Sequence, residues 1–218
     1  MPTALRSPAH VLVMAKAPVP GRVKTRLCPP CTAADAAALA EAALADTLSA
    51  VARCGADRRI VALDGRPGDW LPPGFDVIRQ RGESFEERLV HAWDDAGGHG
   101  LQIGMDTPQL TPDLLDDGLV RLDTSAAALG YAADGGWWAI GLRRFTPSVF
   151  RDVPMSTPHT GNAQRARLRA LGFDVAVLPT LVDLDTVDDL PAVVAAGRGT
   201  RTAALARHLG LVPERRAA

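Results

Sequence analysis

"HVLVMAKAPVPGRVKTRLCPPCTAADAAALAEAALADTLSAVARCG", residues 10–55, decides how this chain folds. It opens with an unbroken apolar run, 10–15, short enough for a buried strand. Pro18, Pro20 and Gly21 then forbid regular structure. An alanine-rich stretch follows, with Leu44, Leu48 and Val51 at helical spacing and Gly55 as a stop, which predicts a helix over 32–54. Thr32 is its expected N-cap, with Asp35 three residues on. Strand, loop, helix is the unit from which parallel sheets are built.

The same alternation continues outward. Strands are expected at 58–65, 75–80, 101–106 and 173–179, with loop at 65–74. Helices are expected at 82–98, 111–122, 161–172 and 185–199, with a last one near 200–210. Thr111 followed by Pro112 is a well-formed helix start. Two apolar segments, 125–134 and 137–142, flank Asp134-Gly135-Gly136. No internal repeat or linker interrupts the pattern. The expectation is one domain spanning 1–218, a Rossmann-like three-layer α/β/α fold on a mostly parallel mixed sheet, with its core at about 10–195 and a C-terminal helix and tail at 196–218. The end, "PERRAA", is expected to fray.

An apolar share of 47% and a charged share of 22% are ordinary for a globular protein. The net charge of −1 argues against whole-molecule attraction to nucleic acid or an acidic membrane. No apolar run reaches membrane-spanning length, and the N-terminus reads as a first strand rather than a signal peptide; a cytoplasmic location is the expectation.

The charge is nevertheless uneven. Before Asp35, the first acidic residue, stand Arg6, Lys16, Arg22, Lys24 and Arg26. The chain has only two lysines among 24 basic residues, and both fall in this loop. Chance would put both among the four basic positions of 16–26 in roughly 2% of arrangements, so the choice of a compact ammonium over a flat guanidinium fork has meaning here. In open α/β sheets ligands sit beyond the carboxyl ends of the strands, where this loop falls. Gly21 allows close backbone approach. Lys16, Gly21, Arg22, Lys24 and Arg26 are therefore candidate phosphate-binding residues. Neither G-x-x-x-x-G-K-[ST] nor G-x-G-x-x-G is present, so both standard phosphate loops are excluded.

Four segments could face this loop. "IGMDTP" (103–108) puts Asp106 at the end of a buried strand. "VDLDTVDDL" (182–190) puts Asp183 and Asp185 two apart, on one side of an extended chain. Asp106 with Asp183 or Asp185 suits Mg²⁺ or Mn²⁺, which bind a few carboxylates together with substrate phosphates; the alternative reading is helix caps, preferred for Asp188 and Asp189. "ADGGWWAIGL" (133–142) is either a hairpin turn or a ligand-approach segment with tryptophan faces for stacking. "MSTPHTGN" (155–162) offers hydroxyls at Ser156, Thr157 and Thr160, and His159. Lys24, Asp106 and Asp134 are the candidate catalytic residues. Gly135, Gly136, Trp137, Ser156 and Thr157 are the candidate acceptor-binding residues.

Taken in order, "MAKAPVPGRVKTRL", "QRGESFEERLVHAW", "IGMDTPQL", "ADGGWWAIGL", "STPHT" and "LVDLDTVDDL" resemble the nucleotide-diphospho-sugar transferase superfamily, the glycosyltransferase-A fold. Within it the chain looks like a bacterial glycosyltransferase-like family related to cofactor-biosynthesis guanylyltransferases, over most of 10–195. The resemblance implies a nucleoside triphosphate or nucleotide sugar on the first loop, a divalent metal at Asp106, and a small-molecule acceptor; a homodimer is compatible with it. Glycosyl transfer commonly uses D-x-D after the middle strand, whereas nucleotidyl transfer uses one Asp there and a second group from a later strand. The single Asp106 leans to the second. Ala133, Met155, Trp137 and Trp138 depart from that family's usual residues, all on the acceptor side. Two further readings stand beside the enzyme: a non-catalytic nucleotide or phosphosugar sensor, and a redox protein using "CPPC" (28–31).

Overall fold

A computed structural model describes residues 8–213. Arg6 and the expected frayed end at 214–218 lie outside the described residues. β1 (His10–Lys16) is buried along nearly its whole length. Its side chains alternate between two cores: Val11, Val13 and Ala15 join one, Leu12 and Met14 the other. A strand apolar on both faces must be covered on both. α1 (Ala33–Arg53) follows the loop and begins with the expected capping box, Thr32 and Asp35 bonding reciprocally.

β2 (Arg58–Asp64), β3 (Asp76–Arg79), α2 (Phe85–Ala96), β4 (Gly100–Ile103), α3 (Pro112–Arg121), β5 (Ala127–Ala132), β6 (Trp137–Leu142), α4 (Thr160–Ala170), β7 (Val175–Leu181), α5 (Leu190–Ala196) and α6 (Arg201–His208) complete the order. The seven strands form one sheet in the order β3-β2-β1-β4-β6-β5-β7. All neighbours are parallel except β6, which is antiparallel to both β4 and β5. The mixed, mostly parallel α/β sheet is therefore as expected. The antiparallel strand arises because β5 and β6 are joined by the tight turn at 133–136, which leaves no room for a crossover.

On one face α1 and α3 cover the sheet through Leu44, Leu48, Leu115 and Leu119. On the other α2 and α4 do so through Leu89, Trp93 and Leu168. A third cluster packs α5 and α6 against the far side of α1, so 190–208 thickens one layer. Buried His10 lies edge-on to Trp93, with ring centroids 5.3 Å apart. Burial and the nearby Arg58 and His99 push it down to about 4, so it is neutral at pH 7. Two boundaries differ from expectation. β4 ends at Ile103, which leaves Asp106 three residues beyond the strand. The segment 185–199 starts with a 3₁₀ turn (Val187–Asp189) before α5. Among the described residues no helix is long and apolar enough to cross a membrane.

Candidate active site

The carboxyl ends of β1, β4, β5 and β7 open onto two adjoining cavities. The smaller, about 280 Å³, is lined by Lys16, Arg22, Lys24, Arg26, Asp106 and Asp185 among others. The larger, about 550 Å³, shares Arg26, Asp106 and Asp185 with it, and adds Asp183, Asp134 and 136–138 of the next turn and strand, and 155–158 with Thr160; Gly135 is not in its lining.

The loop after β1 is shaped by two left-handed residues. Gly21 has φ +73°, with open space where a side chain would stand. Lys24 has φ 48° and ψ 38°, rare for a residue with a Cβ. That backbone sends the Lys24 side chain inward, where only 8% of it remains exposed. Its ammonium donates to Asp106 Oδ2 at 2.6 Å and to Asp185 Oδ1 at 2.8 Å. A compact ammonium can serve two carboxylates arriving from different directions; a planar guanidinium fits one carboxylate edge-on. This is the physical sense of the rare lysine. Burial alone would lower the Lys24 pKa, but the charges of Asp106 and Asp185 outweigh it and push it up to about 12. Burial likewise works against Asp185, yet Lys24 holds its carboxyl below the usual carboxylate range. Arg26, 72% exposed, stands 3.5 Å from Asp185. Lys16 lies 3.8 Å from Asp64, both at the rim.

The acidic side is fixed by a seam between two distant segments. Leu184 N donates to Asp106 O at 2.8 Å, and Gln109 Nε2 to Val182 O at 2.6 Å. The Asp189 carboxylate accepts from the Asp185 and Thr186 backbone N–H groups and the Thr186 hydroxyl, so Asp189 is the cap that the sequence suggested. Asp183 and Asp185 both line the larger cavity, as i, i+2 spacing predicts, but only Asp185 is hydrogen-bonded to Lys24. Burial, with Asp106 and Asp134 nearby, pushes the Asp183 carboxyl up to about 8.

Asp134, Gly135 and Gly136 form the β5–β6 turn, with Asp134 Oδ1 accepting from Gly136 N at 2.8 Å. The hairpin alternative is thus correct, and the turn still faces the cavity. Gly135 has φ +92°, and a Cβ there would run into the Pro158 carbonyl. Gly161 N bonds Gly135 O at 2.8 Å, locking the turn to the start of α4. Trp137 stacks on Phe150 with centroids 6.4 Å apart and lines the cavity. Trp138 is buried, filling the space that Gly130 leaves open and donating to Pro179 O at 2.9 Å. Ser156 and Thr157 line the same wall, Ser156 with φ +57°.

Sequence reading missed Met14, Phe85, Gln102 and Met155 as cavity residues. Met14 and Gln102 sit on buried strands, where nothing local distinguishes them from core. Phe85, the first residue of α2, is 40% exposed, with Arg88 stacked 5.7 Å from its ring.

Among the described residues no three His, Cys, Asp or Glu side chains form a ready-made metal site. The donor set nonetheless suits a divalent ion. Asp106 and Asp185 already share one cation, the Lys24 ammonium, and an all-oxygen pair leaves the remaining positions to phosphate and water. The "CPPC" cysteines are free, and burial raises the Cys31 thiol; a reactive thiol is shifted the other way.

The profile of a family described as uncharacterised proteins conserved in bacteria (DUF2064) matches residues 34–157. A phosphoenolpyruvate guanylyltransferase of Thermomonospora curvata is 32% identical over 185 residues, 79% of this chain and 78% of that one. A crystal structure from Desulfovibrio desulfuricans G20, provisionally described as a nucleotide-diphospho-sugar transferase, is 30% identical, with a TM-score of 0.83 over 93% of this chain and 96% of that one. The Mycobacterium tuberculosis protein Rv0371C, solved in complex with manganese, shares the fold at 19% identity, with a TM-score of 0.51 over 86% of this chain and 98% of that one. The chain therefore belongs to the bacterial DUF2064 family, within the nucleotide-diphospho-sugar transferases, and is an enzyme of the transferase class.

Proposed function

We propose that the chain is a divalent-metal-dependent transferase that takes a nucleoside triphosphate or nucleotide sugar and passes a nucleotidyl or glycosyl group to a small acceptor. Nucleotidyl transfer is the better-supported form. The observation that carries the reading is the Lys24 ammonium at 2.6 and 2.8 Å from Asp106 and Asp185. It joins the basic loop and two acidic strand exits in one crevice. A single Asp after the central strand, with no D-x-D at that place, favours nucleotidyl over glycosyl transfer. The relative named as a guanylyltransferase supports the same choice.

In this reading Lys16, Gly21, Arg22, Lys24 and Arg26 hold the polyphosphate. Asp106, with Asp185 or Asp183, holds Mg²⁺ or Mn²⁺; the manganese complex of a protein of this fold supports that assignment. A bound ion supplies charge neutralisation on the phosphates. The Lys24 ammonium leaves the carboxylates and follows the phosphate oxygens, a movement open to a flexible point charge. An acceptor oxygen forms a bond to the α-phosphorus, the bond from that phosphorus to the β-phosphate oxygen breaks, and pyrophosphate departs. The chain's contribution is positioning and a pre-set field.

The test is a thermal-shift screen of GTP, CTP, UTP, ATP and UDP-glucose, each with and without MgCl₂. A ligand at ~100 times its dissociation constant adds about 2.7 kcal/mol, roughly 5–10 °C for a chain of this size. One triphosphate should raise Tm only with the metal. No shift with any of them overturns the reading. Binding without pyrophosphate release would leave a nucleotide sensor.

A further inference from the structure

We propose that Gln102 reads the base of the nucleotide, and that it selects a keto base, guanine or uracil, over the amino bases adenine and cytosine. This rests on the nucleotide reading above and names a specificity residue for it.

Gln102 is polar in an apolar row. It lies on the central strand β4, between Leu12 of β1 and Ile140 of β6, both fully buried. Only 1% of it is exposed. A carboxamide in such a row costs free energy unless its polar atoms are used. The oxygen is used: Trp93 Nε1 donates to Gln102 Oε1 at 2.6 Å. Trp93 is itself fixed, fully buried and stacked on Phe145 with ring centroids 5.6 Å apart. An indole N–H only donates, so reversing the amide would set donor against donor. That leaves the Nε2 group. It makes no hydrogen bond among the described residues, yet it is not sealed in protein as the unpartnered Oε1 atoms of Gln109 and Gln164 are. Gln102 lines the larger cavity, and so does Gly104, which has no side chain to cover the amide. The two N–H groups of Gln102 therefore open onto that cavity as a donor-only contact on its floor.

The place suits a base. Arg26, Asp106 and Asp185 belong to both cavities. With the triphosphate on the basic loop and its α-phosphate at the shared carboxylates, the nucleoside enters the larger cavity. The floor there includes Met14, two positions before Lys16 on the strand that carries the loop. Met14 and Phe85 offer adaptable and aromatic surface to a planar ring. The acceptor keeps the other end, by Asp134, Gly136, Ser156 and Thr157. A glutamine with both polar atoms free pairs with adenine by using oxygen and nitrogen together. Gln102 has already given its oxygen to Trp93. It can only donate, to a keto oxygen such as O6 of guanine or O4 of uracil. The amino group at the same position of adenine or cytosine sets donor against donor and leaves both unpaired.

The experiment titrates the full chain, with Mg²⁺, by calorimetry against two matched pairs: ITP with ATP, and UTP with CTP. Each pair differs in the keto or amino group and the ring proton that goes with it. In at least one pair the keto member should bind roughly tenfold tighter, the scale of one donor left unpaired. Gln102→Met, close in shape but without donors, should bring that ratio to within about twofold of unity. Trp93→Phe, which frees the oxygen and lets the amide turn, should shrink the ratio as well. A ratio does not depend on how much of a variant is folded, and ligand-free melting checks each one. Binding without a keto preference, an amino preference, or a keto preference that survives Gln102→Met overturns the Gln102 assignment while the nucleotide reading stands. No binding of any of the four overturns both.

Discussion

The two cavities share a wall yet are built by different forces. The smaller is shaped by charge: a left-handed lysine is drawn down onto two carboxylates, with further cations at the rim. The larger is shaped by packing: a glycine turn wedged under Pro158, a hydrogen bond into α4, and one tryptophan stacked on a phenylalanine. The difference teaches how each half should respond to change. The first should be sensitive to ions, and the second to volume, to backbone shape and, through Asp183, to pH.

The largest effect is expected from Lys24→Met. It leaves Asp106 and Asp185 facing each other without their cation. Removing one partner of a fully buried pair costs ~3–5 kcal/mol; with both carboxylates about one-third exposed, ~2 kcal/mol is expected here. In chelator, the variant's Tm should drop by several degrees, and added Mg²⁺ should recover most of the loss. A drop that metal leaves untouched would mean that the carboxylate pair does not take a divalent ion.

Gly135→Ala should come next, at about 2 kcal/mol, because a positive φ and a clash with the Pro158 carbonyl act together. The damage should stay on the packing side: weaker acceptor binding, with the nucleotide shift preserved. Equal loss of both would contradict the division between the halves.

A subtler difference lies in pH. Asp183 titrates near 8 in the folded chain, against about 3.9 when unfolded. The folded state thus binds the proton more tightly, so this group's contribution falls as pH rises from about 4 to about 8. Metal-free protein should lose several degrees of Tm between about pH 5.5 and 8.5, and Asp183→Asn should flatten that slope. Identical profiles for the two proteins would count against the burial of this charge. The smallest effect is expected from Cys28→Ser, with transfer rates changed less than about twofold, since Cys28 lines neither cavity. A severalfold loss would reopen the redox reading of "CPPC".

How much of this was legible beforehand follows the same division. The strand–loop–helix rhythm, the Thr32 and Thr111 caps and the cationic loop are local, and residues 10–55 display all but the Thr111 cap directly. Asp106 and the Asp183/Asp185 pair were recognisable as strand-exit carboxylates. That they face the basic loop was expected, but the direct pairing of Asp106 and Asp185 with Lys24 was not, because it depends on an αL lysine and on the seam between 106–109 and 182–184. The place of β6 between β4 and β5 depends on pairing across distant segments, which no local pattern records. Phe85 shows the limit of periodicity: it stands four residues before buried Leu89, yet as the first residue of α2 it reaches past the end of the core into the cavity.

Lys24 meets Asp106 across 82 positions of chain and Asp185 across 161. During synthesis the basic loop therefore leaves the ribosome long before either acidic partner exists. Every nascent or prematurely terminated chain shorter than 185 residues carries an ammonium with at most one of its two counterions. Closure of the paired lysine therefore waits on β7 and the residues just after it, so the crevice takes its final charge balance late in synthesis.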